Sequence, residues 1–348
     1  MAKKNIPNGL GELKQHIKIK EPARLYIFHG EEVFLLNHYL GQIKKLLLDE
    51  LTESFNFTRL NHETFGLQMF ADAVEAMPMM AETTFIQVDD VDFFKFPEAE
   101  RNKIGEILSD IPEWCTVLFT YETVAWKPDK RYKKLWGAVE ENALIVEFQK
   151  QDQRDLVAWI QRHFAARKKR IPAELCVYLI EITGGTMTAL SGEIDKISAY
   201  SGADEIKRSD IDAVTEPVLD AVVFQMTDLI SEGRYDQAFF KLQQLLKMQQ
   251  EPLAILGAVG NHFRRISAAR NLLDNGRPAS ELQKLCAPMP DFAARKTMEA
   301  ARRFRPEFCA AAARLVLETD YKMKTSFDEP ERLLELLILQ LAQEAGNG

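Results

Sequence analysis

Between Leu25 and Phe148 short apolar runs alternate with helical patterns, and after Phe148 the strands stop. Strands are expected at 25–28, 56–60, 84–88, 116–120 and 144–148, each apolar or β-branched and flanked by polar or turn residues. Helical periodicity fills the intervals at 33–48, 67–77, 97–108 and 129–139. Strands separated by helices cannot pair as hairpins. They lie parallel, with helices on both faces. The first part of the chain is therefore α/β, of the architecture that binds nucleotides at strand–helix junctions.

The first such junction lacks what a nucleotide needs. The strand ends at His29-Gly30, and the next helix opens with Glu31-Glu32-Val33-Phe34. A phosphate-binding loop needs several glycines and a Lys-Ser/Thr pair. Here there is one glycine, two carboxylates and no lysine before Lys44. Acidic side chains suit a helix N-terminus but repel a triphosphate. Asp89 and Asp90 close the third strand, where an active ATPase places its magnesium-binding acid, and Thr120 ends the fourth, where it places a polar sensor. Without a phosphate loop, turn or capping roles are expected for all three. No cofactor is expected.

From residue 149 the chain reads as all helix. Helices are expected at 152–167, 173–181 and 187–200, with Gly184-Gly185 ending the second. These form a small three-helix domain at 149–215. A larger helical domain fills 216–348, with Pro252 and Pro306 at helix starts. Asp328 followed by Glu331 resembles a capping box before a last, strongly apolar helix at 331–343.

A net charge of −8 excludes a chain that binds nucleic acid by bulk charge, so any DNA contact is local or shared. The cysteines, Cys115, Cys176, Cys286 and Cys309, have no zinc or redox spacing and read as free thiols in a reducing compartment. The histidines make no metal-binding pattern, so no metal is expected. The opening Met1-Ala2-Lys3-Lys4-Asn5 lacks an apolar signal core, and no run reaches the length of a membrane span. A cytoplasmic protein is the expectation. The basic run Arg167-Lys168-Lys169-Arg170 reads as a solvated helix end.

Several local patterns, in order, resemble the delta family of the bacterial DNA polymerase III clamp loader. They are Tyr26-Ile27-Phe28-His29-Gly30-Glu31-Glu32-Val33-Phe34-Leu35; Ala76-Met77-Pro78-Met79-Met80-Ala81 before the third strand; and Asp129-Lys130-Arg131-Tyr132-Lys133-Lys134-Leu135. Further on come Gly184-Gly185 with Glu193-Ile194-Asp195-Lys196, and Thr319-Asp320-Tyr321-Lys322 with Glu331-Arg332-Leu333-Leu334-Glu335. The resemblance implies an AAA+-like domain with a degenerate nucleotide site at 1–148, a helical lid at 149–215 and a helical collar at 216–348. It implies a subunit that binds and opens the beta sliding clamp for loading onto primed DNA, without hydrolysing ATP itself. Gamma/tau and delta-prime subunits are the implied partners. The clamp-binding wedge falls on Met79 and Met80, with Met77 in support. The two methionines depart from a family pair that often includes an aromatic residue. Lys130, Arg131, Lys133 and Lys134, presented on one side of a helix, are candidates for contact with DNA or a neighbouring subunit. Two other readings stand beside this one: an active AAA+ ATPase with a divergent loop, and a helical adaptor unconnected with replication.

Overall fold

The computed structural model describes residues 9–287, 289 and 291–346, so the opening Met1–Asn5 stretch lies outside it. The chain forms two compact units, Met1–Lys150 and Gln151–Gly348.

The first unit runs α1 (Leu10–Ile19), β1 (Leu25–His29), α2 (Val33–Leu47), α3 (Glu53–Asn56), β2 (Phe57–Asn61), α4 (Leu67–Glu75), β3 (Thr84–Asp89), α5 (Glu98–Ser109), β4 (Cys115–Tyr121), α6 (Lys133–Asn142) and β5 (Ala143–Glu147). The five strands make one parallel sheet of order β2-β3-β4-β1-β5. Central β4 is buried at every position, and β1 at all but His29. The edge strands bury only Leu60 and Val146. This is why β1 reads as an unbroken apolar run and the central strands as largely apolar ones.

Alternation along the strands builds two cores. Leu25, Ile27, Ile86, Val88, Val117 and Phe119 face α4, α5 and α6. Tyr26, Phe28, Phe85, Leu118 and Val146 face α1 and α2. Neither α1 nor α3 was expected from periodicity. In α1, Leu13 is the buried residue.

Two helix ends differ from expectation near the candidate sites. α4 stops at Glu75, two residues short of Met77. α6 starts at Lys133, not at 129, because Asp129 forms a local turn: its carboxylate accepts from the Arg131 N–H at 3.0 Å, and its carbonyl from the Tyr132 N–H at 3.2 Å.

The second unit is helical: α7 (Gln153–Ala166), α8 (Ala173–Thr183), α9 (Met187–Tyr200), α10 (Arg208–Val214), α11 (Leu219–Ser231), α12 (Tyr235–Lys247), α13 (Pro252–Asp274), α14 (Ala279–Leu285), α15 (Asp291–Ala301), α16 (Pro306–Thr325) and α17 (Pro330–Gly346). The 149–215 stretch holds four helices, not three. The extra one, α10, begins where Asp210 accepts from the Lys207 N–H at 2.9 Å. Left-handed Gly184 and Gly185 follow α8, and Lys169 donates to the Ser201 and Ala203 carbonyls, so the basic run is partly structural. α17 opens at Pro330 rather than beside Asp328. It buries Leu333, Leu334, Leu337, Ile338 and Leu341 but leaves Leu336 and Leu339 exposed, so it is less enclosed than its composition implies. Among the described residues no single helix is long and apolar enough to cross a membrane.

One polar pair sits in this core. The His262 ring nitrogen Nε2 lies 2.8 Å from the Thr227 hydroxyl. Burial, helped by the charge of Arg265, lowers the His262 pKa to about 3. An unfolded histidine takes its proton near pH 6.5. Between those values the unfolded chain binds more protons than the folded one, so stability falls as pH drops. From pH 6.5 to 5 the expected loss is about 2 kcal/mol. Denaturant melts of the wild type and of His262→Gln check it: the variant should lose this slope, and equal slopes would refute the assignment.

Candidate functional site

The β1–α2 junction is a closed turn. Gly30 has φ +131°, and the chain leaving β5 packs directly on it, with the Phe148 carbonyl oxygen 2.3 Å from where a Cβ would stand. The Phe148 N–H donates to the His29 carbonyl at 2.7 Å, and the Glu32 N–H to the Phe148 carbonyl at 3.0 Å. One N–H that a phosphate loop would point at an anion is thus spent on a backbone oxygen. Glu31 pairs with Lys150 at 3.4 Å. Burial raises the Glu32 pKa, against a hydrogen bond from the Phe34 N–H and the charge of Lys150. Burial lowers that of His29, against the charge of Glu147.

Both aspartates at the end of β3 are engaged. Asp89 accepts from Thr120 Oγ1 and Gln87 Nε2, each at 2.7 Å, and pairs with Arg59 at 2.6 Å. Asp90, itself left-handed at φ 55°, accepts from the Thr123 hydroxyl at 2.6 Å and from the N–H groups of Glu122, Thr123 and Val124. Burial works to raise the Asp90 pKa, but these hydrogen bonds outweigh it and hold the carboxyl below its usual range. Asp90 thus serves the turn after β4, whereas Asp89 departs from the expected turn role and ties β3 to β4 and β2. Among the described residues no cluster of three acidic, His or Cys side chains could hold a metal. The four cysteines are buried and unpaired, and burial pushes Cys115 to about 11 and Cys176 to about 12, away from thiolate chemistry.

The methionine segment is an exposed loop between α4 and β3. Met77 is 73% exposed, Met79 58% and Met80 93%. Methionine usually packs inside, so three exposed in four positions is unusual. Pro78 keeps Met77 out of helical backbone. The loop is held at three points. Trp114 Nε1 donates to the Ala76 carbonyl at 3.1 Å, and the Thr83 hydroxyl to the Leu47 carbonyl at 2.8 Å. Between them, the Asn56 side chain bonds the Met79 backbone in both directions. Met80 takes a left-handed backbone, φ 56°, uncommon outside glycine. The sequence marks Asn56 only as the start of a strand. Its partner lies 23 residues on, and no local pattern marks such a pairing.

The basic residues do not share one helix face. Lys130 and Arg131 lie in the turn, Lys133 and Lys134 in the first turn of α6. Arg131 is taken by Asp129 at 2.6 Å, which lowers the Asp129 pKa to about 2. Lys134 pairs with Glu106 at 2.9 Å, and Lys130 sits over the Trp136 ring at 4.6 Å. Among the described residues Lys133 has no carboxylate partner.

Comparison with known proteins places this arrangement in a family. The family model "DNA polymerase III, delta subunit" matches residues 26–149, and "DNA polymerase III delta subunit, C-terminal domain" matches 220–341. The chain is 25% identical over 336 residues to DNA polymerase III subunit delta of Bacillus subtilis (strain 168), covering 93% of this chain and 94% of the relative. It is 20% identical over 265 residues to the probable DNA polymerase III subunit delta of Aquifex aeolicus (strain VF5), covering 73% and 72%. Among solved structures, the Bacillus subtilis DNA clamp loader delta protein (YqeN) superposes with a TM-score of 0.71 at 21% identity, covering 96% of this chain and 99% of that one. With both family models matched in order and the fold shared end to end, the chain belongs to the DNA polymerase III delta subunit family.

Proposed function

We propose that this chain binds the beta sliding clamp through Met77, Met79 and Met80 and helps to open it for loading onto primed DNA, without hydrolysing ATP itself. The observation that carries the reading is the methionine loop: three apolar side chains in water, on a backbone tied at several points. Closure of the β1–α2 turn by Phe148 supports the absence of ATP chemistry. The description of the solved Bacillus subtilis relative as a clamp loader delta protein supports the placement in that machine.

In this reading residues 1–148 engage the clamp, 149–215 form a lid, and 216–348 form a collar that assembles with gamma/tau and delta-prime subunits in the cytoplasm. Nucleotide bound by those partners shifts the assembly toward an arrangement in which the methionines reach the clamp. Among the described residues Lys130, over the Trp136 ring, and Lys133, at the start of α6, have no carboxylate partner, and in this reading they meet DNA phosphate in the assembled complex.

The test is a titration of the purified chain with purified clamp, and separately with magnesium-ATP. Saturable clamp binding without nucleotide, and no saturable uptake of ATP, is the expected pair of results. Absence of clamp binding would sink the proposal, and tight ATP binding would revive the active-ATPase reading. In the reconstituted complex, Lys130→Glu with Lys133→Glu should weaken DNA binding and flatten its salt dependence by about two charges. A loss of assembly instead would assign these lysines to a subunit contact.

A further inference from the structure

The support under the methionine loop is one buried amide. Asn56, at the end of α3, is 3% exposed. Its Oδ1 accepts from the Met79 N–H at 2.7 Å, and its Nδ2 donates to the Met79 carbonyl at 2.9 Å. The second Nδ2 hydrogen goes to the Thr52 carbonyl at 3.0 Å, inside its own helical turn. Three of the amide's four hydrogen-bonding positions are used. The orientation is dictated by the partners, because a flipped amide would set NH2 against the Met79 N–H and its carbonyl against two carbonyl oxygens. The side chain thus acts as a strand would, pairing one residue through both backbone groups. It does so out of water, while Met79 and Met80 project into it.

The neighbouring residue shows why a clasp is needed. Met80 holds a left-handed backbone at φ 56°. That conformation is unfavourable for a residue with an unbranched, non-hydrogen-bonding side chain. Such strain persists only where the surroundings fix it. Pinning Met79 at both its N–H and its carbonyl fixes the peptide that leads into Met80.

We infer that Asn56 is a positioning residue for clamp binding: it holds the Met79–Met80 backbone in its projecting conformation before the partner arrives, and so removes the ordering cost from the encounter. This rests on the clamp-binding reading above. A chain whose competent loop is only fractionally populated binds more weakly by that fraction.

The test compares the full-length wild type, Asn56→Ala, and Met79→Ala with Met80→Ala, each titrated with purified clamp. Amide hydrogen exchange at Met79 and thermal unfolding are followed in parallel. In the wild type the Met79 amide should be protected although its side chain is exposed, a result that needs no variant. Asn56→Ala should lose that protection and bind about tenfold more weakly, while core amides of the sheet keep theirs. An unprotected Met79 amide in the wild type overturns the inference. So does wild-type affinity in Asn56→Ala where the methionine double variant fails to bind, and that outcome leaves the methionine reading intact. Equal binding by all three chains overturns the methionine reading and this inference with it.

Discussion

Met79→Ala with Met80→Ala should abolish measurable clamp binding while leaving the melting of the chain nearly unchanged. The two halves of that expectation have different causes. In the free chain these side chains are mostly in water, Met80 at 93% exposure, so truncation removes little buried contact and opens no cavity. Surface changes of this kind stay within about 0.5 kcal/mol. In the complex each side chain, once covered, contributes about 1.5–3 kcal/mol of apolar burial. Losing both removes about 3–6 kcal/mol, a factor of at least about 100 in affinity. Met80 should carry the larger share, since it has the most surface left to bury. Met77→Ala should cost less. Adjacent anchors on a small interface dominate it, whereas residues around them chiefly exclude water. The loop is also stiffened in advance by Trp114, Asn56 and Thr83, so little of the gain is spent on ordering it. A titration in which the double variant binds as the wild type does would refute the role. A double variant that melts well below the wild type would show that the methionines are structural.

What sequence could show and what it could not divides along physical lines. Strands β1 and β4 were legible because both their faces are covered, which demands largely apolar runs such as Leu25-Tyr26-Ile27-Phe28 and Val117-Leu118-Phe119. The absence of a phosphate-loop pattern at the β1–α2 junction was legible because such a loop has a chemical signature, and Gly30-Glu31-Glu32 lacks it. α1 was missed because one deeply buried residue, Leu13, docks it, leaving too little periodicity to see. The start of α6 was misplaced because the Asp129 carboxylate captures the Arg131 N–H and holds a turn where charge and spacing suited a helix. That same turn spoils the expected basic face. The methionines could be found through Pro78 and the family pattern, but their exposure could not, since methionine serves cores and surfaces alike. Asn56 was invisible for a further reason. Its meaning lies in a contact with Met79, and neither residue's local surroundings announce the other.

Gly30→Ala should destabilise the first unit by about 4 kcal/mol, more than a surface change and as much as a large core truncation. Two costs add. At φ +131° a side chain meets a backbone conformation that L residues rarely adopt, a strain of about 1–3 kcal/mol. The new methyl would also stand 2.3 Å from the Phe148 carbonyl oxygen and 2.7 Å from its nitrogen and carbonyl carbon. These are backbone atoms, so no flexible side chain can swing away. Relief requires moving the exit of β5, and that exit is tied by the Phe148–His29 and Glu32–Phe148 hydrogen bonds. It is also held by the Phe148 ring, 1% exposed, edge-on to Phe28 at 5.2 Å and stacked on Tyr39 at 5.8 Å. Overpacking of this kind costs about 1–3 kcal/mol more. Because residues 151–348 have their own hydrophobic core, calorimetry should show the transition of the first unit falling by roughly 10 °C while that of the second stays. Gly41→Ala is the matched control. Gly41 lies in α2 with open space where its Cβ would be, and alanine there should stabilise by about 0.5–1 kcal/mol. An unshifted transition in Gly30→Ala would show that β5 yields easily and that the turn is not locked. A fall of the expected size would show instead that the exit of β5 holds the turn at Gly30 rigidly, through backbone atoms that cannot swing aside.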